Sequence, residues 1–230
     1  MTIKNWIIVH ALWMAIWGYL CMNHLPLNGI LAIGVLSFLA LLYLGRPIFS
    51  QNTPYGGYAN WITLFRLLLL MVTTFQLEQF SIIQLFVLLS LCLILDGVDG
   101  KVARQYQQES DWGALFDKEV DSFFVLVVSL ILYQYYGIPI WIVGIGLLHY
   151  LYEIVLYFLN WQPILTKKNP IGRYVAFLLF ASLLVPLLIN GTWVVVLLGI
   201  ISGLTLVSFG VSFFMKYRGW RIKTQRNWGE

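Results

Sequence analysis

Charge is scarce in this chain. Only 10% of its residues are charged, 60% are hydrophobic and mean hydropathy is +0.81, whereas a soluble domain carries roughly 25% charged residues. That scarcity excludes an ordinary soluble fold. Cysteine is scarcer still: Cys21 and Cys92 lie in separate apolar segments, so neither a disulfide framework nor a thiolate metal site is supported, and both read as packing residues. Histidine is nearly as sparse, and His10 and His24 read as interface or loop residues with no role assigned. No small-residue cleavage site follows the first apolar stretch, which therefore reads as an anchor and not as a removable signal. Internal repeats and low-complexity tracts are also lacking.

Long apolar runs are what the chain has in abundance. Eight of them, approximately Trp6–Met22, Leu27–Leu44, Trp61–Phe75, Phe80–Leu95, Val120–Tyr136, Pro139–Leu159, Tyr174–Ile189 and Trp193–Met215, approach the roughly 20 residues that cross a bilayer. They predict an all-α polytopic membrane helix bundle. Trp6, Trp61, Trp193, Tyr135 and Tyr136 stand at run ends, where amphipathic rings favour the interface. With the amino terminus inside, all 14 Lys and Arg residues fall on or beside the inner ends, and the loops around His24, Glu78, Gly137 and Asn190 hold none. The positive-inside bias thus places the aspartates between Asp96 and Asp121 on the cytoplasmic side, and a multi-pass protein of the cell's cytoplasmic membrane is the expectation. Insertion and anionic lipid heads account for the net charge of +4, so nucleic acid is not an expected partner.

One stretch reads as a linker: Gly45 to Tyr58, with Pro47, Pro54, Gly56 and Gly57 among polar residues. It divides the chain into a two-span amino-terminal hairpin (1–45), a cytoplasmic linker (46–59), a six-span core (60–216) and a basic tail (217–230). Gly199-xxx-Gly203 in the last span offers a close-packing face between helices.

Against this apolar background the aspartates stand out. Asp96, Asp99, Gly100 and Ala103 fall at i, i+3, i+4 and i+7, one stripe of a helix; Gly113, Asp117 and Asp121 fall at i, i+4 and i+8, another stripe. Acidic groups at the edge of a bilayer are costly unless cations neutralise them, so they mark function by default. The apolar stripe from Phe80 continues without a breaker into Asp96–Arg104, Gln105–Ser110 reads as a polar turn, and Ser110 or Asp111 as the N-cap of the next helix. Two such helices bring four carboxylates to one point at interfacial depth. Hard divalent cations such as Mg2+ take oxygen ligands of this kind.

The full run, Asp96-xx-Asp99-Gly100-xx-Ala103-Arg104, eight residues, then Gly113-xxx-Asp117-xxx-Asp121, resembles the complete motif of the CDP-alcohol phosphatidyltransferases, every fixed position included. Asn60-Trp-Ile-Thr63-Leu-Phe-Arg66 resembles that family's opening segment. The resemblance covers the six-span core and leaves the amino-terminal hairpin outside. It implies transfer of a phosphatidyl group from CDP-diacylglycerol to a small alcohol with release of CMP, in phospholipid synthesis, by a homodimer using Mg2+ or Mn2+, two ions in all. By resemblance Asp96, Asp99 and Asp117 ligate the metals, with Asp121 at their edge and also the candidate base for the acceptor hydroxyl. Gly100, Ala103 and Gly113 are small so that the nucleotide approaches closely, and Arg104 pairs with the pyrophosphate. Lys101 and Lys118 either assist anion binding or face water.

Other polar residues carry weaker signals. His149 and Glu153 share a face of the sixth span and read either as a contact to the acceptor or the metal shell, or as a buried structural pair. Lys167, Lys168 and Arg173 follow on the inner loop. They read as topogenic charge or as an anion site, which tilts the acceptor toward glycerol 3-phosphate over serine, an inositol phosphate or choline. The tail from Lys216 to Arg226 reads as a headgroup-binding surface. Two competing classes remain: a divalent-cation transporter, which would show flux without CMP, and a non-catalytic CDP-lipid-binding relative, which would bind without turnover.

Overall fold

The computed structural model describes residues 3–49, 56–159 and 170–227; Lys167, Lys168 and residues 50–55 of the linker lie outside them. The described residues form eight α-helices and one 3-10 turn, with no strand among them: α1 (Ile3–Met22), α2 (Asn28–Phe49), α3 (Tyr58–Phe75), the 3-10 turn Leu77–Gln79, α4 (Ile82–Gln105), α5 (Asp111–Tyr136), α6 (Trp141–Phe158), α7 (Pro170–Leu188) and α8 (Thr192–Asn227). Helices suit such a sequence because each one satisfies its own backbone polar groups.

Six of these helices (α1, α2, α3, α4, α6 and α8) are long and apolar enough to cross a membrane. The sequence predicts eight spans, and α5 and α7 are the two that differ. The first half of α5 carries Asp111, Asp117, Lys118, Glu119 and Asp121. Its second half is enclosed by the other helices, with Phe123 to Leu132 all buried. It is the axis of the bundle. The apolar stretch of α7 is short, running from Gly172 to Leu188. The helix α8 continues without a break through the predicted tail as far as Asn227.

Caps set the two acidic helices in register. Ser81 opens α4 with a capping box, its hydroxyl accepting from Gln84 N–H while the Gln84 side chain accepts from Ser81 N–H. The helix then runs unbroken past Asp96 and Asp99 to Gln105. Ser110 opens α5, its hydroxyl accepting from Gly113 N–H at 3.0 Å. Gly137 closes α5 in the left-handed conformation, φ 67°.

The α1–α2 hairpin packs along α5 and α6 through close approaches. A Cβ on Gly34 would meet the Phe123 ring at 2.8 Å, and one on Gly45 the Trp112 ring at 2.5 Å. At the far end the Tyr133 hydroxyl donates to Met22 O, and Gln134 Nε2 donates to Cys21 O and Leu25 O. The tightest backbone approach joins α6 to α5: a Cβ on Gly146 would stand 2.8 Å from Leu126 Cα. No rotamer change relieves a clash with backbone. Gly146→Ala is therefore expected to cost about 1–3 kcal/mol, read as a lower unfolding temperature in detergent; an unchanged temperature would contradict this packing.

Candidate active site

Three helices build the site. Asn60, Thr63 and Arg66 recur every third residue along α3, Asp96 and Asp99 sit near the end of α4, and Asp117 and Asp121 lie on α5. The Arg66 guanidinium occupies the centre, with its side chain only 4% exposed. Its Nη1 donates to Asp99 Oδ2 at 2.8 Å and Asp117 Oδ1 at 3.0 Å, and stands 3.1 Å from Asp96 Oδ1. Its Nη2 donates to Asp121 Oδ1. One cation thus touches all four carboxylates that the sequence singles out.

The carboxylates differ in exposure. Asp99 is buried, 4% exposed at its side chain, and also accepts from the Thr63 hydroxyl at 3.0 Å. Asp96, Asp117 and Asp121 are 28%, 39% and 26% exposed and form the open side. One ligand oxygen from each of Asp96, Asp99 and Asp117 can be chosen so that all three lie within 4.8 Å of one another. The donors are all hard oxygens, and Arg66 engages one oxygen of each carboxylate. With four negative charges against one positive, the set fits a divalent cation such as Mg2+ or Mn2+. Asp121 joins the group through Arg66.

Several expectations change in detail. Arg66 is the residue at the centre of the carboxylates that sequence reading left as part of an opening segment. The available signal was a lone cation inside an apolar helix, costly unless it faces anions elsewhere in the chain. Gly113 is also held small by packing: a Cβ there would stand 2.9 Å from Asn60 Oδ1 and 3.1 Å from Ser110 Oγ. Gly100 does face open space, flanked only by the Arg104 guanidinium. Ala103 is half-buried and Arg104 exposed, one turn beyond Gly100. His149 and Glu153 do not form a pair: His149 contacts Glu119, and Glu153 accepts from Lys118 Nζ. Lys118 is therefore neither a bare solvent charge nor aimed at the aspartates. His10, expected at an interface, is fully buried because its ring stacks on Trp6 and reaches toward Glu119. Arg173 is exposed on α7.

A multi-pass membrane protein with a cluster of carboxylates that could hold a cation, formed where two motif-bearing helices meet, is the class that this fold and geometry define. The chain belongs to the CDP-alcohol phosphatidyltransferase family, whose sequence model matches residues 57–215. That family is one of CDP-alcohol phosphotransferases and uses divalent metals. An uncharacterized protein of Aquifex aeolicus (strain VF5) is 38% identical over 78 residues, which is 34% of this chain and 40% of that protein. The chain thus spans well under half the length of that relative. No solved structure matches it.

Proposed function

We propose that the chain transfers a phosphatidyl group from CDP-diacylglycerol to a small alcohol, releasing CMP, at the cytoplasmic face of the cell membrane. The observation that carries this reading is the meeting of all four motif carboxylates around one point at the open ends of α4 and α5. Asp96, Asp99 and Asp117 would hold two Mg2+ or Mn2+ ions, with Asp121 at their edge. Bound there, the ions would neutralise the donor pyrophosphate and the departing CMP.

The chain's own residues supply the rest. The Thr63 hydroxyl and Arg66 hold the buried Asp99 as an oriented anion. Arg66 also fixes Asp121 through Oδ1, leaving its second oxygen outside that contact. Asp121 would take the proton of the acceptor hydroxyl there as the new ester bond forms. Gly100 leaves room for the nucleotide against α4, and Arg104 flanks that opening with a planar donor suited to phosphate oxygens. Lys167, Lys168 and Arg173 favour a phosphorylated acceptor, with glycerol 3-phosphate the first to test, and the family suggests a homodimer.

The test is purified protein with CDP-diacylglycerol and Mg2+, offered each alcohol separately, with CMP followed over time. CMP should appear with one acceptor and vanish on chelation. Cation flux without CMP, or donor binding without turnover, would overturn the reading. The proton role of Asp121 has its own measurement. Asp121→Asn should lower kcat by about a hundredfold while donor KM changes little, and an equal loss in both would assign Asp121 to binding alone.

A further inference from the structure

Outside the region that matches the family, α1 sends one polar side chain into the bundle core. The His10 ring is fully buried, stacked on Trp6 at 4.6 Å, with its Nδ1 2.7 Å from Ser37 Oγ of α2. Its Nε2 has no hydrogen-bond partner and stands 3.8 Å from Glu119 Oε2. From the other side His149 Nε2 of α6 lies 3.2 and 3.3 Å from the two Glu119 oxygens. A single carboxylate, 1% exposed, is thus held between imidazoles from two helices. A carboxylate so deeply buried needs polar partners, and imidazoles of α1 and α6 stand against its two oxygens.

Glu119 sits on α5 midway between Asp117 and Asp121. Side chains two positions apart on a helix do not share a face, so Glu119 points into the bundle while its neighbours line the site. Any turn or slide of α5 moves all three together. We infer that the amino-terminal hairpin is part of the catalytic scaffold: His10 is a positioning residue that, through Glu119, sets how α5 presents Asp117 and Asp121. This rests on reading those two aspartates as the reactive carboxylates.

The experiment measures Mn2+ affinity by calorimetry, and CMP release, on the full-length protein in detergent. His10→Ala is expected to weaken both by about tenfold, the usual cost of losing a residue that orients a metal ligand. Glutamine carries its amide near the position of Nε2 and asparagine near that of Nδ1. His10→Gln should therefore recover to within about threefold of the wild type, and His10→Asn should not. Unchanged Mn2+ affinity in His10→Ala, or equal losses in the two amide variants, would overturn the inference. Should His10→Ala not fold, Glu119→Gln gives the second reading. It should lower Mn2+ affinity about tenfold, and adding His10→Asn to it should cost little more; fully additive losses would overturn the inference. Mn2+ binding that follows this pattern in a protein releasing no CMP would sink the transferase reading alone.

Discussion

Asp117→Asn should cut CMP release by about a hundred- to a thousandfold, while Lys118→Ala keeps most of the activity. Asp117 Oδ1 lies 3.0 Å from the Arg66 guanidinium, and the residue is one of the three whose oxygens come within reach of a single ion. An amide in its place keeps the size and loses the anion. It removes one oxygen ligand from a site whose transition-state stabilisation is electrostatic, which accounts for the scale of the loss. Lys118 is the next residue along, yet it projects from a different part of the helix and pairs with Glu153 on α6, with its own side chain 48% exposed. Its partner Glu153 is 15% exposed, so losing Lys118 disturbs the α5–α6 contact and leaves the carboxylates around Arg66 in place. CMP release with a chelation control decides it. Equal losses in the two variants would mean that the roles along α5 are wrongly drawn.

Arg66→Leu should produce the largest loss of stability. Four carboxylates would then face one another with no counter-charge, Asp99 among them at 3% exposure. Breaking a buried pair by removing one partner costs about 3–5 kcal/mol, and here one guanidinium serves four partners. The same physics predicts a rescue. A divalent cation supplies the missing charge, so Mn2+ should raise the unfolding temperature of Arg66→Leu more than that of the wild type, because a ligand stabilises the state it binds. Arg66→Lys should fall between the two, since an ammonium keeps the charge and loses the planar fork that reaches Asp99 and Asp121 at once. Thermal unfolding in detergent, with chelator and with Mn2+, reads all three. A Leu variant as stable as the wild type in chelator would refute the counter-charge role.

Much of the site was legible because it is local. The stripes of Asp96 with Asp99 and of Asp117 with Asp121, the polar turn and the Ser110 cap follow from helical period and capping chemistry within one stretch of chain. Arg66 was not legible, since its value lies in contacts across three helices that periodicity alone does not orient. His10 failed for the same reason: a lone histidine in an apolar helix announces no partner, and Glu119 sits far away in sequence. The axial place of α5 did leave a trace. From Phe123 to Leu132 its apolar residues show no polar face, the mark of a helix enclosed by protein, and reading the run simply as one more span left that place unremarked.

The loop between α4 and α5 looks, by its short polar sequence, like a convenient place for an affinity tag. It is a poor one. Tyr58 N–H at the start of α3 donates to the Gln108 side chain at 2.8 Å, and the Tyr58 and Tyr106 rings meet at 4.9 Å. Epitopes or fluorescent reporters spliced in there would unlatch the segment that carries Arg66 from the two that carry the aspartates. The surface bend at Gly137, with open space around it, is the better graft point for labelling studies.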